Sequence, residues 1–264
     1  MNEVPLAITI DGWRATVTLQ RPEVRNAFDE TLIAEVTRAF AELGARTDLR
    51  CIVLAGAGPA FSAGGDLRWM RRMADYTREQ NIADASGLAA MYRAIAECPL
   101  PTVARVHGDA FAGGIGLVAA CDMAVAADTA GFCLSEVRIG LVPATISPYV
   151  IRAMGLRATQ RYAATAERFS AAEAHRIGLV HESVDPAQLD ATVDGLVRAL
   201  CGASPAAVRA NKRLLARVAG RELDESLVRY TVETIADIRA SEQGREGLQA
   251  FLQKRKPAWL TETH

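Results

Sequence analysis

Apolar positions in the first two thirds of the chain alternate between runs typical of strands and spacing typical of helices. Residues 6–10 and 15–20 flank Asp11-Gly12, a pattern that predicts a β-hairpin. Asp29 is a predicted N-cap, and Gly44 marks the expected end of the helix that follows. Between them, apolar residues recur at helical spacing: Leu32, Ile33, Val36, Phe40 and Leu43. An apolar run at 51–55 predicts the next strand.

This succession of strands and helix is expected to recur further along. The pattern predicts strands at 102–106 and 123–127 with a helix at 113–121 between them, and a loop-rich stretch at 132–148. Ser170 and Glu173 have capping-box spacing, which predicts a helix that ends at Gly178.

A last strand is predicted at 180–184, and only helices follow from Gln188, with breaks at 202–205 and near Gly220 and an end at Pro257. No flexible linker separates the two parts. We therefore predict one α/β core over 1–187 and a helical C-terminal region over 188–264.

Composition and charge narrow the classes of function. The 264 residues are half apolar, and 30 Lys and Arg balance 31 Asp and Glu. This balance argues against nucleic acid as a partner, because phosphate binding leaves a basic excess. The balance is still compatible with a small cluster of basic side chains that binds one anionic group. The five cysteines and four histidines form no CxxC or HxxxH, so we expect no metal site.

The chain shows no expected membrane or targeting segment. Its longest apolar run, 110–121, has twelve residues, whereas a membrane-spanning helix needs about 20. The first ten residues lack the basic start and apolar core of a signal peptide. The cysteines have apolar neighbours and are interpreted as reduced core thiols. We therefore expect a cytoplasmic protein.

Two glycine-rich segments are candidates for chemistry. Residues 60–67 read AFSAGGDL and residues 107–117 read HGDAFAGGIGL, and each follows a predicted strand and precedes a predicted helix. Such a junction exposes backbone N–H groups, and two of them directed at one point form an oxyanion hole. Close packing of helix on strand, or a phosphate loop, would use glycines in the same way. The GxGxxG and GxxxxGK[ST] patterns of nucleotide sites are absent.

Glu136 is the candidate acid or base. It lies among apolar residues in FCLSEVRIGLVP, 132–143. Burial there would raise its pKa and make it a general base. A surface ion pair with Arg138 is the alternative interpretation of the same window. There is no G-x-S-x-G elbow, so a Ser-His-Asp triad is not predicted, and His107 is interpreted as structural.

Taken together, these segments resemble the crotonase, or enoyl-CoA hydratase/isomerase, superfamily. The resemblance covers nearly the whole chain: LQRP with NAF, FSAGGDL, HGDAFAGGIGLVAACD, SEVRIGLVPA, the A-A-x-A-x-x-x-G-L-V pattern and the tail FLQKRKP. It implies a spiral of ββα turns, then helices that build a homotrimer or a dimer of trimers. It also implies an acyl-CoA substrate, with coenzyme A entering as part of the thioester and no separate cofactor.

The resemblance also implies roles for individual residues. The N–H groups of Gly65 and Gly113 correspond to the oxyanion hole, and Glu136 to the acid/base. Typical hydratases of the family have a second glutamate where this chain has Gly116. Two carboxylates can hold one water, whereas one carboxylate is sufficient to move a proton between carbons, as isomerases do. Gly116 therefore argues against a standard two-glutamate hydratase.

Flanking segments resemble one branch of the family. FSAGGDLRWMRRM, GIGLVAACDMAVAA and LSEVRIGLVPATISPYV are similar to bacterial hydratases of methylglutaconyl-CoA and isohexenylglutaconyl-CoA, in which glycine at the position of Gly116 is normal. This favours reversible hydration of a branched 2-enoyl-CoA. A Δ3,Δ2-enoyl-CoA isomerase and a non-catalytic acyl-CoA- or RNA-binding paralogue are the alternatives. A distal substrate carboxylate would need a cation, for which Arg71 or Arg72 is available, although a solvated helix face explains both.

Further residues are predicted to line the substrate. Arg21 and Arg25 are candidates for the phosphates and adenine of CoA, as are Lys254 and Lys256, which could reach a neighbouring subunit. Ala63, Leu67 and Gly116 are placed beside the substrate by the resemblance. Asp66 is assigned to the same loop, which we expect it to hold through hydrogen bonds to backbone amides.

Overall fold

The computed structural model describes residues 5–260. Its larger sheet has six strands in the order β1-β2-β3-β4-β6-β9. These are β1 (Leu6–Asp11), β2 (Arg14–Leu19), β3 (Cys51–Gly56), β4 (Thr102–Val106), β6 (Met123–Ala127) and β9 (Glu182–Val184). Strands β1 and β2 form the predicted antiparallel hairpin, and all other neighbours in this sheet are parallel.

A second sheet has three short strands: β5 (Ala110–Phe111), β7 (Gly131–Cys133) and β8 (Phe169–Ser170). Strand β5 pairs in parallel with β7, and β8 is antiparallel to β7. An isolated bridge between Ser62 and Ala110 connects the segment after β3 to this sheet. The second sheet therefore lies beside both glycine-rich segments.

Ten α-helices surround and extend the sheets within the described residues. They are α1 (Glu30–Ala45), α2 (Leu67–Met73), α3 (Arg78–Ala96), α4 (Gly113–Ala120), α5 (Ser147–Thr165), α6 (Ala171–Arg176), α7 (Leu189–Gly202), α8 (Pro205–Val218), α9 (Glu225–Ala240) and α10 (Glu242–Leu252). None of the helices within residues 5–260 combines the length and hydropathy needed to cross a membrane.

Most of the predicted elements are present, with shifts at their ends. Asp29 caps α1 by accepting a hydrogen bond from the Leu32 amide at 3.0 Å, as predicted. The last strand is shorter than the predicted 180–184. The Val180 amide donates to the Ala174 carbonyl of α6, and contact with β6 starts one residue later, where the His181 amide donates to the Ala124 carbonyl.

The core is divided by the larger sheet. Alternate side chains of β3 point to opposite faces: Ile52 and Leu54 pack with α1, α3, α4 and α5, whereas Cys51 and Val53 pack with α7. The predicted boundary at 187/188 falls just before α7, which packs directly on the sheet through Leu189, Val193 and Val197.

The topology brings the two glycine-rich segments to one edge. Strands β3 and β4 are adjacent and parallel, so their carboxyl ends, Gly56 and Val106, lie at the same edge of the sheet. The segments that follow them, 57–66 and 107–112, start from that edge. Ligand sites in parallel sheets lie at this position.

Candidate active site

Backbone hydrogen bonds join the two glycine-rich segments. The amides of Phe61 and Ser62 donate to the Asp109 carbonyl at 3.0 and 3.2 Å, and the Phe111 amide donates back to the Ser62 carbonyl at 2.9 Å. These bonds run between residues almost 50 positions apart. The loop before α2 and the loop before α4 therefore form one structural unit.

Asn26 ties a third segment to this unit. Its side chain is buried, donates to the carbonyls of Ala57 and Ala60 at 2.8 Å each, and accepts from the Arg21 amide. Its φ of 54° is in the left-handed region, which asparagine tolerates better than most residues. In the sequence, Asn26 is part of the NAF motif only. Asparagine favours turns and the left-handed region, which was the available signal for this role.

The Gly65 amide faces the site because of a bridge to Phe28. The Phe28 amide donates to the Gly64 carbonyl at 2.8 Å, and the Asp66 amide donates to the Phe28 carbonyl at 3.0 Å. In an extended segment, successive residues direct their backbone groups to opposite sides. The N–H of Gly65 therefore points away from Phe28, and it has no acceptor among the described residues.

The Gly113 amide is the first of α4. Ala112, the residue before it, has φ 47° and ψ −124°, an uncommon conformation for a residue with a side chain, and its own amide donates to the Cys133 carbonyl. This turn separates the directions of the two successive amides. The first N–H groups of a helix have no intrahelical partner, and the Gly113 amide has none elsewhere in residues 5–260.

The two donors are close because residue 64 is glycine. Gly64 has φ +85°, and a Cβ there would lie 3.3 Å from the Gly113 nitrogen and 3.0 Å from the Phe111 carbonyl oxygen. The backbone on either side of Gly64 is thus in close contact with the start of α4. Two unpartnered amides in one such unit can stabilise an oxygen that gains negative charge.

Glu136 provides a carboxylate with an unpartnered oxygen. It begins a 3-10 turn at Glu136–Ile139, and its Oε2 is buried without a hydrogen-bond partner in the described part of the chain. Burial raises the pKa of the Glu136 carboxyl, and a hydrogen bond from its own amide opposes this. Arg138 donates instead to the Ala166 carbonyl, so the alternative of a Glu136–Arg138 surface pair is wrong.

Gly116 lies in α4 against two buried side chains. A Cβ there would be 2.2 Å from Ile146 Cγ2 and 2.8 Å from Tyr92 Cε1. No side chain fits at this position without movement of the core. Tyr92 was not among the predicted site residues. A tyrosine at a buried helical position looks like an ordinary core residue in the sequence.

Arg21 and Asp66, both predicted to lie beside the substrate, form an ion pair with each other within the chain. The Arg21 guanidinium contacts Asp66 at 2.9 Å, Asp29 at 3.1 Å and the Ala27 carbonyl at 2.6 Å. These contacts engage both terminal nitrogens of the guanidinium, so Arg21 connects three parts of the chain around the loop before α2.

Asp66 Oδ1 accepts from the amides of Arg68 and Trp69 and caps α2, which confirms the expectation that it holds the loop. Burial alone would raise the pKa of Asp66. The two amides and the charge of Arg21 outweigh burial and lower it.

Two more residues predicted to line the substrate, Arg25 and Leu67, lie beside the loop before α2 and in the first turn of that helix. Arg25 is exposed, has no ion pair within residues 5–260, and its carbonyl accepts from the Ala63 amide at 2.9 Å. Leu67 is exposed in the first turn of α2. Arg72 pairs with Glu30.

Arg71 is not directed toward Gly65. The side chains of α2 nearest to Gly65 are Trp69 and Met70, which lie 3.5 and 3.6 Å from a Cβ built on that glycine. Arg71 is exposed, and the next helical position is rotated by about 100° from Met70. The solvated-face interpretation is therefore favoured for Arg71.

Lys254 and Lys256 lie far from the unit in the same chain. Both are exposed and follow α10. The Trp259 carbonyl accepts from Arg50, directly before β3, whereas the glycine-rich loop follows the other end of β3. A strand of this length spans roughly 17–20 Å. The two lysines of one chain are thus not brought to its own Gly65.

A cavity of about 520 Å³ lies elsewhere, between α4, α5 and α8. It is lined at the carboxyl end of α4 by Cys121 and by Tyr149 and Lys212, and by none of Gly65, Gly113 or Glu136. No group of three or more His, Cys, Asp or Glu suited to a metal ion occurs in the described ranges. This cavity is therefore separate from the residues predicted to carry the chemistry.

Comparison with known proteins gives a consistent family. Residues 14–262 match the profile of the family described as enoyl-CoA hydratase/isomerase. An enoyl-CoA hydratase structure from Shewanella pealeana is 42% identical, with TM-score 0.94 and 97% of each chain covered. One from Mycobacterium smegmatis is 36% identical, with TM-score 0.93, and covers 98% of this chain and 100% of its own.

A curated relative, enoyl-CoA hydratase ACTT6 of Alternaria alternata, is 32% identical over 237 residues, which are 89% of this chain and 77% of the relative. The family match over 14–262 extends from β2 through the C-terminal helices. The chain has the crotonase fold and belongs to the enoyl-CoA hydratase/isomerase family.

Proposed function

We propose that this enzyme catalyses the reversible hydration of a branched 2-enoyl-CoA of the 3-methylglutaconyl-CoA or isohexenylglutaconyl-CoA type. The observation that carries the proposal is the buried, unpartnered Oε2 of Glu136 in a family member whose Gly65 and Gly113 amides are also unpartnered. The branched acyl group is supported by the resemblance of the flanking segments and by Gly116. These features fit an enzyme that forms a thioester enolate.

The proposed reaction uses one carboxylate twice. Glu136 takes a proton from water as the water oxygen bonds to C3 of the substrate. The electron pair of the C2=C3 bond moves to the thioester oxygen, where the amides of Gly65 and Gly113 stabilise the charge. As this enolate collapses, Glu136 delivers the proton to C2 and is a carboxylate again. Dehydration is the same sequence reversed.

The raised pKa of Glu136 suits this role. A base transfers protons best when its pKa is near the working pH, and burial moves this carboxyl in that direction. Because burial also leaves Oε2 without a competing donor, a substrate proton or water can occupy it. No other charged group contributes to the shift.

CoA recognition is assigned to two places. Arg25 is next to Ala63 and exposed, so it is available to a phosphate of CoA bound along the loop before α2. Lys254 and Lys256 would have to act from another copy of the chain, because their own sheet separates them from Gly65. A homotrimer or a dimer of trimers meets this requirement. No cofactor besides the CoA of the substrate is proposed.

A Δ3,Δ2-enoyl-CoA isomerase is the second candidate. The observation that favours it is the absence of a carboxylate at position 116, since one carboxylate is sufficient to carry a proton between C4 and C2. Hydration needs the same groups and a water in addition. The two reactions differ in whether a C–O bond forms.

Ultraviolet absorbance of the conjugated enoyl thioester tests the proposal. A hydratase lowers the absorbance of a 2-enoyl-CoA, because water adds across the conjugated double bond. An isomerase raises the absorbance of a 3-enoyl-CoA, because the double bond moves into conjugation. A binding protein changes neither. A panel of 2-enoyl-CoA thioesters with methyl and isohexenyl substituents at C3 and with straight chains identifies the acyl group. Faster turnover of straight-chain substrates would contradict the branched assignment.

Replacement of Glu136 tests the mechanism in the same assay. Glu136→Gln keeps size and burial but cannot accept the proton, so we expect turnover to fall roughly 10²–10⁴-fold. Binding of a product-like CoA thioester should change little, because the oxyanion donors are backbone groups. Glu42→Gln, at an exposed glutamate of α1, is the matched control. Retention of more than about a tenth of wild-type turnover, outside the acid–base range, contradicts the assignment.

A further inference from the structure

The indole of Trp69 packs directly against Gly65. Its ring carbons Cε3 and Cζ3 each lie 3.5 Å from a Cβ built on Gly65, and the side chain is 3% exposed. A glycine has no side chain of its own to hold it in place, so the position of its backbone depends on what packs against it. For Gly65 that contact is an aromatic ring from the first turn of α2.

A second aromatic ring extends this contact to Gly113. The ring centroids of Trp69 and Phe28 are 6.3 Å apart and the ring planes are tilted by 56°, an arrangement that aromatic pairs favour. Phe28 Cζ would lie 2.4 Å from a Cβ built on Gly113. Trp69 and Phe28 are both buried. Two rings in contact with each other therefore lie against the two residues whose amides are the proposed donors.

One hydrogen bond selects the orientation of the indole. Trp69 Nε1 donates to Oδ1 of Asp84, a half-buried residue of α3, at 2.8 Å. A buried indole N–H needs an acceptor, and Asp84 supplies it from a different helix. The bond therefore favours the one ring orientation that packs on Gly65.

Helix α3 also contacts the Gly113 side of the unit. About two turns beyond Asp84, Tyr92 donates its hydroxyl hydrogen to the Gly113 carbonyl at 2.9 Å. Leu88, between these two residues, packs against the core. A helix rises 1.5 Å per residue, so the two polar contacts are about 12 Å apart along one rigid element. A single helix is thus bonded to both halves of the proposed oxyanion hole.

Resting on the function proposed above, we propose that Asp84 is a positioning residue for the oxyanion hole. It accepts the indole hydrogen of Trp69, the indole packs on Gly65, and the Gly65 amide keeps the place that the enolate oxygen needs. Asp84 acts only through Trp69 and touches no reacting atom. A displacement of about 1 Å at such a site can cost roughly 10²-fold in rate.

The test measures the oxyanion hole itself as well as turnover. A 3-ketoacyl-CoA that loses its acidic C2 proton to Glu136 becomes an enolate with an ultraviolet absorbance of its own, and oxyanion donors stabilise this form. The enolate fraction of the bound 3-ketoacyl-CoA therefore reports on the donors without hydration. It is measured by difference spectra at saturating enzyme, beside kcat and KM for a 2-enoyl-CoA.

Four variants separate the hydrogen bond from other effects. Asp84→Ala removes the acceptor, whereas Asp84→Asn keeps an acceptor oxygen and removes the charge. Trp69→Phe removes the donor and keeps a ring. Asp194→Ala is the matched control, because it removes an aspartate of α7 that also bonds another element, Arg14 of β2 at 2.6 Å, away from the glycine-rich unit.

We expect Asp84→Ala and Trp69→Phe each to lower kcat by up to roughly 10²-fold, to lower the enolate fraction and to leave KM little changed. Asp84→Asn should keep most of both properties. The double variant of Asp84→Ala with Trp69→Phe should be no worse than either single one, because both remove the same interaction. Asp194→Ala should match the wild type.

Wild-type kcat and enolate fraction in Asp84→Ala overturn the proposal. An Asp84→Asn as impaired as Asp84→Ala also overturns it, because the charge would then matter and not the bond. A lower kcat with an unchanged enolate fraction does so too, because the oxyanion hole would then be intact. If Asp84→Ala does not fold, Trp69→Phe decides by the same two readings.

Failure of the proposed function gives a different result. A wild type that stabilises the enolate without hydrating any 2-enoyl-CoA refutes the hydratase assignment alone, and the enolate fraction still tests Asp84. A wild type that does neither refutes the proposed function and the role of Asp84 with it.

Discussion

At the scale of single residues, the site combines groups that the fold leaves unpartnered. The Oε2 of Glu136 is buried and has no hydrogen-bond donor in the described chain, although nearly all buried polar groups in proteins have a partner. The amides of Gly65 and Gly113 also have no acceptor among the described residues. A buried polar atom without a partner costs stability in the free enzyme, and a substrate that supplies a transferable proton to Glu136 would offset that cost.

Glu136 should show this cost in the pH dependence of stability. Because its pKa is raised in the folded state, the folded state binds more protons than the unfolded state between the ordinary glutamate pKa and the raised one. Its contribution to stability is present below the ordinary pKa and is lost as the pH rises through the raised value.

Glu136→Gln should therefore be more stable than the wild type at neutral pH, with a difference that shrinks as the pH is lowered through that window. Urea unfolding at a series of pH values measures it. A difference that is constant with pH, or that grows in acid, contradicts the buried state of this carboxyl.

Gly65 offers a cleaner test of the oxyanion hole than Gly113. Gly113→Pro would remove the Gly113 N–H directly. A Cβ on Gly113 would lie 2.4 Å from Phe28 Cζ, however, so this substitution would also disturb the core. A Cβ on Gly65 meets Trp69 at an ordinary 3.5 Å, and the φ of Gly65 is outside the left-handed region.

Gly65→Pro removes the N–H, and Gly65→Ala keeps it while adding the Cβ. We expect turnover to fall roughly 10²–10³-fold in the proline variant, and the alanine variant to retain most of it. Both are assayed for enoyl-CoA turnover after thermal unfolding shows that they are folded. Similar turnover in the two variants would refute the assignment of the Gly65 amide.

At the scale of elements, two helix starts position the amides proposed as oxyanion donors. Helix α4 begins at Gly113 after the unusual backbone of Ala112, and α2 begins after Gly65 with Asp66 as its cap. The Asp66 cap also pairs with Arg21, whose other contacts reach Asp29 and the Ala27 carbonyl. The position of the Gly65 amide thus depends on a cap and on an arginine from before α1.

Asp66→Ala should therefore affect both stability and turnover. Loss of an N-cap costs about 0.5–2 kcal/mol, and the loss here should lie toward the upper end because Arg21 also loses a partner. Ser170→Ala removes the cap of α6, away from the glycine-rich unit, and should lower stability without changing kcat. Urea unfolding and kcat are measured for both. Wild-type kcat in a folded Asp66→Ala would show that the cap does not position the loop.

At the scale of the whole molecule, the C-terminal helices expose apolar faces. In α9 the exposed residues Val228, Val232 and Ile235 recur at helical spacing and form one stripe. In α10, Leu248, Phe251 and Leu252 form another. Contiguous exposed apolar surface marks sites of association. Another copy of the chain as the occupant would also explain how Lys254 and Lys256 could reach a CoA.

Self-association should depend on the α9 stripe. The wild type should elute as an oligomer in gel filtration with light scattering at micromolar protein, with a trimer or hexamer expected. Val232→Asp places a charge in the stripe and should shift the mass toward the monomer, whereas the isosteric Val232→Thr should shift it less. A monomeric wild type, or an aspartate variant with unchanged mass, contradicts this prediction.

Local sequence patterns were sufficient to predict most elements and the candidate chemical groups. The hairpin around Asp11-Gly12, the Asp29 cap and strands β3, β4 and β6 follow from periodicity and turn residues, which act over a few positions. The motifs around Gly65, Gly113 and Glu136 indicated the family, and the match over 14–262 confirmed it.

Only the tertiary structure decided which distant groups meet. Arg21 binds Asp66, 45 positions away, and Tyr92 fills the space beside Gly116 and bonds Gly113, 21 positions away. Lys254 and Lys256 lie beyond the far end of β3. Local patterns specify helices and strands, but the partner of a long polar side chain depends on how those elements pack. Local sequence therefore indicated the glycine-rich loops, and packing decided what surrounds them.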